Sequence, residues 1–553
     1  MQQSKRFQTI SLSLLSSLLL LGCGNGGGNT QESSNPLTTS TAAIQNEEEN
    51  QNQPQTTQES TNQPTLHILP MMHDEDGNLN DAKATYTLTA KQTVNVTIET
   101  PEGSWTTPMW RYNDNPLPLI IRANRGDTMT LNFNNQLSSD STIHWHGFKV
   151  PAKEDGGPDF PVKPNESRTY SFTLDQPAAP LWFHPHPDMQ TGKQVYMGLA
   201  GVFLIEDNIS KELEQSRQLP SGDQDVVLLV QDRRFGAEHN GIRELQYMNQ
   251  SMDGDGMLGD VVLVNGSQFP NLDVTTQQYR FRLYNVSNAK NYDFAFDDGR
   301  AFTVVATDGG LLKEPVTLEH IKLGAAQRVE IIVDFRADEV GDRIQLISRA
   351  FEDDNMNMGR GMNQNSSESM VGRSPNGTAV DIMSFEITQA VEDNVTLYST
   401  LGEEVAVAKR LDPTQADNAD SERSFVMTMN MSSGAMSFVI NGKAFDPNRV
   451  DEFIPANSTE IWSITNNSPM AHPFHAHAIQ YQIIDRDGVP ASGVDLGWKD
   501  TFLVKPNETV RIIGQFEPIN QGDYMYHCHI LEHEDAGMMG YFRIGDMGHI
   551  GNP

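Results

Sequence analysis

Tyr526 to Met539, YHCHILEHEDAGMM, gathers residue types that bind soft and borderline metals: Cys528 between His527 and His529, followed by His533 and Met538. In an extended strand successive side chains point to opposite faces, so Cys528 faces one way and the two flanking histidines the other. One short segment can then serve two metal centres. Cys528, His533, a histidine from elsewhere and the thioether of Met538 supply two imidazoles, a thiolate and a weak axial sulfur, the donor set of a blue-copper electron-transfer site. His527 and His529 are left for a second centre behind it.

Ten of the fifteen histidines fall into four short clusters: HWHG at 144–147, HPH at 184–186, HPFHAH at 472–477 and HCHILEH at 527–533. The five outside, His67, His73, His239, His320 and His549, show no grouping and read as ordinary polar residues. Packing alone does not account for the clusters, because each buried imidazole needs its nitrogens satisfied.

The elements that must position these residues read as β. Short apolar or alternating runs such as Leu117–Arg122, Thr128–Phe133, Arg168–Leu174 and Gly198–Ile205 are separated by Asn, Asp, Gly and Pro turns, the pattern of β-sandwiches. An internal repeat sharpens this. Val162-Lys163-Pro164-Asn165-Glu166 recurs as Val504-Lys505-Pro506-Asn507-Glu508, and each copy lies between two His-X-His pairs. Val162 precedes His184 by 22 residues and Val504 precedes His527 by 23, so two copies of one sandwich bracket the chain. A middle segment carries a fainter echo: Asn285-Val286-Ser287-Asn288, then Tyr292 to Phe296, parallels Asn466-Asn467-Ser468, then Pro473 to His477. It reads as a third sandwich without metal that spaces the other two, with copper at the joint between first and last.

Residues 1–22 have a basic start at Lys5 and Arg6 and an apolar run from Ile10 to Leu21, a signal peptide too short to span a membrane comfortably. Leu20-Leu21-Gly22-Cys23 resembles the bacterial lipoprotein box, so Cys23 is expected to carry lipid after export to the periplasmic face of a Gram-negative envelope. Cys528 is then the one thiol of the folded part, and no intrachain disulfide framework exists. Residues 23–64 are rich in Asn, Gln, Ser and Thr, too polar to order themselves, and read as a tether. The formal charge of −34, spread along the chain, argues against nucleic acid as a partner.

The four histidine clusters, in this order, resemble those of the multicopper oxidases, and the resemblance covers everything after the tether. It implies an all-β protein of three cupredoxin-like Greek-key sandwiches, at 65–210, 211–390 and 391–553. It implies four copper ions. His472, Cys528, His533 and axial Met538 match the type 1 ligands, and His144 and His475 the type 2 ligands. His146, His184, His186, His477, His527 and His529 match the type 3 pair. Asp155 and Glu534 match acids that deliver protons while dioxygen becomes water.

Trp182–Gly201, Asp308–Leu312 and Gly497–Thr501 are similar to the periplasmic copper-tolerance oxidases, which oxidise Cu(I) and also act on phenols. Met470 then matches a methionine of the substrate-copper site, and Met356, Met358, Met362 and Met370 a reduced methionine-rich segment that binds Cu(I) through soft thioethers. Ser468 departs from the acidic residue usual in that subgroup. Met427, Met429 and Met431 alternate along one strand face and read as core. The resemblance leaves two other readings: a laccase-like oxidase of phenols, Fe(II) or Mn(II), and a copper-binding scaffold without chemistry. A monomer is expected, touching membrane only through the lipid on Cys23.

Overall fold

The computed structural model describes residues 63–75, 77, 82–247, 254–352, 374–402, 405–432 and 435–545. The signal segment, Cys23, the tether before residue 63, and Met356, Met358, Met362 and Met370 lie outside the described residues.

Alternation writes the strands. Thr128–Asn135 buries every second residue, so Met129, Leu131 and Phe133 face inward and the threonine and asparagines between them face out. Six sheets built this way close into three sandwiches. In the first, a four-stranded sheet of Gly103–Tyr112, Lys83–Thr100, Thr128–Asn135 and Ser167–Thr173 faces one of Ile120–Asn124, Gly201–Glu206, Pro180–His184 and His144–His146. Leu131 and Phe133 from one sheet meet Trp145 and Phe203 from the other in a common core. The middle and third sandwiches each pair a seven-stranded with a five-stranded sheet. Phe281, Phe294 and Phe385 fill the middle core; Trp462, Phe474 and Phe542 fill the third, with Cys528 among them.

The sheets bring the histidine clusters side by side. In the first sandwich His144 lies opposite His184. In the third, His472–Ala476 pairs with Gly522–Cys528, so that His475 lies opposite His527 and Phe474 opposite Cys528. Helix Thr191–Met197 of the first sandwich meets helix Leu531–Asp535 of the third. There Asp535 accepts from the backbone N–H groups of Thr191 and Gly192, both at 3.0 Å, satisfying donors that a helix start leaves free.

One asparagine turn closes the strands Thr128–Asn135, Gln278–Asn285 and Thr459–Asn466 in the three sandwiches. Asn135, Asn285 and Asn466 each donate through Nδ2 to two backbone carbonyls, at 2.7–3.2 Å, and accept a backbone N–H two residues on. The repeated pentapeptide packs against this turn. Asn165 and Asn507 hold left-handed φ of 64° and 61°, which asparagine tolerates, and donate their N–H to the carbonyls of Asn135 and Asn466.

Candidate metal centre

The Cys528 side of the strand forms a compact donor group. His472 Nδ1 lies 3.2 Å and His533 Nδ1 3.7 Å from Cys528 Sγ, with 3.3 Å between the two nitrogens. The far nitrogens are occupied. His533 Nε2 donates to the Gly254 carbonyl at 3.0 Å, and His472 Nε2 meets Ser468 Oγ at 2.7 Å. Ser468 sends its single proton toward Asn466 Oδ1 or the Met470 carbonyl, so it accepts from His472. Both Nδ1 lone pairs therefore turn toward the sulfur. Burial pushes the Cys528 thiol up, and the Ile530 N–H offsets this only in part, so the thiolate needs a cation at the site. Met538 is buried beside them, its carbonyl accepting from Cys528 N–H at 3.0 Å and its N–H donating to His533 at 2.9 Å.

Behind the strand lie the other eight clustered histidines, four from each bracketing sandwich, all buried. His144, His475 and His477 form one trio, His144, His146 and His184 another, and His186, His477 and His527 a third, the donor atoms of each within 4.8 Å of one another. His144, His184 and His475 give Nδ1 to the carbonyls of Asp155, Pro185 and Asp500 respectively, at 2.8–3.0 Å, and leave Nε2 without a partner. His529 has no partner at either nitrogen and His146 none at Nδ1. Burial, then neighbouring histidines, holds His144, His146, His186, His477 and His529 well below the usual imidazole range, and burial holds His184, His475 and His533 down to about 3. Neutral, lone-pair-bearing imidazoles result. An unsatisfied buried nitrogen costs roughly 1–3 kcal/mol. Cations bound among them remove that cost, and nitrogen with thiolate donors suits copper.

Both acids stand at this cluster. Asp155 takes His477 Nδ1 on Oδ2 at 2.7 Å, its backbone carbonyl holds His144, and its Oδ1 is free; burial, then Asp159, raises its carboxyl well above the usual range. Glu534 lies 3.2 Å from His186 Nε2 and 3.0 Å from His527 Nδ1, without the angles of hydrogen bonds. Met470 is in the third core, 4 % exposed. Met427 is fully buried there and Met429 packs against that core.

Two features escape sequence reasoning. Asp500, outside every histidine cluster, is buried and bonds His146 through its carboxylate and His475 through its carbonyl. Burial opposes its ionisation, but Arg328 outweighs it and holds the carboxyl below its ordinary range. The middle sandwich also does more than space its neighbours. Besides Arg328 and the Gly254 carbonyl, the Met257 N–H and Asn288 Nδ2 grip Glu532 at 2.9 and 2.8 Å, anchoring the helix that carries His533. No local pattern marks these bonds, since each partner lies hundreds of positions away.

Family profiles described as multicopper oxidase match residues 93–210, 225–358 and 412–547. The multicopper oxidase mco of Staphylococcus aureus is 31% identical over 439 residues, 78% of this chain and 83% of that one. Among solved structures, a laccase from Pediococcus acidilactici is similar with a TM-score of 0.72 and 33% identity, over 88% of this chain and 94% of the other. A multicopper oxidase from Campylobacter jejuni, described as a metallo-oxidase, has a TM-score of 0.70 and 27% identity over 88% and 96% of the two chains. By its three cupredoxin sandwiches and by these likenesses, this chain belongs to the multicopper oxidase family and is an oxidoreductase.

Proposed function

We propose that this oxidase takes electrons one at a time from Cu(I), and also from phenols, beside Cys528, and uses four of them with four protons to convert dioxygen to two waters among the eight histidines. Copper held at these donors supplies the one-electron redox chemistry that the overall reaction needs. His472, Cys528, His533 and Met538 hold the type 1 ion, His144 and His475 the type 2 ion, and His146, His184, His186, His477, His527 and His529 the type 3 pair. The observation that carries this reading is the strand Gly522–Cys528: Sγ is 3.2 Å from His472 on one face, while the preceding residue, His527, approaches His477 at 3.2 Å on the other.

The protein's own groups do the rest. The backbone from Cys528 to His527 and His529 is a covalent path between the sites. Asp155, touching His477 and shielded from water, holds a proton close to the oxygen-reducing pocket, and Glu534 offers a second carboxyl beside His186 and His527. The folded limits 65–210, 211–390 and 391–553, export to the periplasmic face, the lipid on Cys23, a monomeric state and a role in copper tolerance belong to the same proposal.

A laccase-like preference for phenols, Fe(II) or Mn(II) is the second reading, favoured by the burial of Met470 and by Ser468 being engaged with His472. Oxygen uptake by copper-loaded protein with Cu(I), Fe(II), Mn(II) and a phenol, with and without added Cu(II), separates the two. Cu(I) is expected to be turned over fastest. Faster phenol turnover without added Cu(II), and none with Cu(I), would replace the first reading by the second. No oxygen uptake with any of them would leave a copper-binding scaffold.

A further inference from the structure

His146 is held the opposite way round from its neighbours. Where His144, His184 and His475 present Nε2, His146 gives Nε2 to Asp500 Oδ1 and Thr501 Oγ1, both at 3.0 Å, and keeps Nδ1 free. A neutral imidazole carries one proton, so a carboxylate on Nε2 places the proton there and the lone pair on Nδ1. That carboxylate is itself fixed from another sandwich. Arg328, at the start of the middle strand Arg328–Asp334, forms two parallel bonds to Asp500, 2.7 Å each, and both side chains are fully buried.

The remaining donors of Arg328 are also used. Nε donates to the Pro180 carbonyl of the first sandwich at 2.8 Å, Nη1 to the Ala326 carbonyl at 3.0 Å, and Nη2 to the Asp308 carbonyl at 3.3 Å. The Asp308 carboxylate accepts the Arg328 backbone N–H at 2.7 Å and lies 3.3 Å from Nη1. One guanidinium thus ties all three sandwiches. The chain makes room for it: Gly147, next to His146, has φ +86°, and a Cβ there would lie 2.3 Å from Asp500 Oδ2 and 3.1 Å from Arg328 Nη2.

We propose that Arg328, a residue of the histidine-free sandwich, is a positioning residue for the oxygen-reducing centre: through Asp500 it fixes His146 with Nε2 protonated and Nδ1 turned into the cluster. This rests on the reading that the eight histidines hold three copper ions. A bidentate guanidinium suits the task because it fixes the carboxylate plane as well as its charge.

The test compares copper-loaded wild type with Arg328→Met, Arg328→Lys and Asp500→Asn. Readouts are copper per chain, the blue band from the Cys528 site, the paramagnetic resonance of the metal pair and oxygen uptake. In Arg328→Met the blue band is expected to persist while the pair, silent when coupled, becomes visible or is lost, and oxygen uptake falls about tenfold to a hundredfold. Arg328→Lys is expected to recover only part, since an ammonium lacks the planar fork that makes two parallel bonds. A purely structural role would lower the blue band and the copper content of the pair together. A variant Arg328→Met that keeps a silent pair and oxygen uptake within about twofold of wild type overturns the proposal. If that variant does not fold, Asp500→Asn decides by the same signals, because Asp308 still balances the arginine charge. A wild type without a silent pair would instead sink the four-copper reading, and this inference with it.

Discussion

The third and middle sandwiches share a turn and differ in what it delivers. Asn466 and Asn285 each tie two backbone carbonyls and the N–H two residues on. In the strand that follows, the third sandwich places His475 opposite Thr501 and the middle places Ala295 opposite His320, while Phe474 and Phe294 point into the two cores at matching places opposite Phe502 and Ile321. The fold therefore does not need imidazoles at these positions. The middle strand carries the methyl of Ala295 there, with no nitrogen to satisfy, whereas the histidines carry unsatisfied nitrogens until metal arrives. The arrangement trades stability of the empty protein for a site.

Substitutions in the two sandwiches put that contrast to the test. The largest loss is expected from Cys528→Ser, which removes the soft donor and with it both the blue colour and oxygen uptake; a variant keeping both would overturn the ligand assignment. His475→Phe puts apolar carbon in place of one such imidazole. It should bind less copper and lose oxygen reduction about a hundredfold, yet be at least as resistant to urea without metal. A large fall in its metal-free stability would show that the buried imidazole is no burden on the empty protein.

Acid should separate the two regions as well. In the metal-free protein His184, His475 and His533 are held down to about 3. The unfolded chain takes up these protons below about 6.5 while the folded one does not. Stability is thus full above that pH and falls as pH drops toward 3, by about 1.4 kcal/mol per unit for each group once well below 6.5. Urea midpoints between pH 7.5 and 5 measure this, and His475→Phe should flatten the slope by one group's share. An equal slope in the variant would place the titration elsewhere.

Smaller effects follow from the shared turn and the thioether. Asn285→Ala and Asn466→Ala each orphan buried carbonyls and should cost about 1–3 kcal/mol in denaturant. Only the second should also weaken the blue band, because Ser468 leans on Asn466 while holding His472. Met470→Ala is expected to lower Cu(I) turnover several-fold more than phenol turnover; equal losses would mean that this buried side chain only packs.

Much of this was legible in the chain because the informative patterns are short. Four histidine clusters and a thiolate between two imidazoles survive as local strings, and the pentapeptide repeat survives because a left-handed turn position favours asparagine. The middle copy of that turn was not legible. There Ala326, φ 69°, donates its N–H to the Asn285 carbonyl as Asn165 does to Asn135. The bond is made by backbone, so the side chain was free to drift. Arg328 and Asp500 were illegible for another reason: a buried ion pair spanning 172 positions leaves no period or spacing in either segment. The burial of Met470 was hidden likewise, since a methionine two residues before a ligand reads the same whether it faces solvent or core.

His186 and His527 touch across 341 positions of chain. During synthesis the early sandwiches can fold while half of this pocket has yet to be made. His144, His146, His184 and His186 then wait as an open half-shell until Gly522–Cys528 docks. Among the described residues, early metal has only the trio His144, His146 and His184 to hold it; the trios that include His475, His477 or His527, and the group around Cys528, are complete only in a chain finished through its final strands.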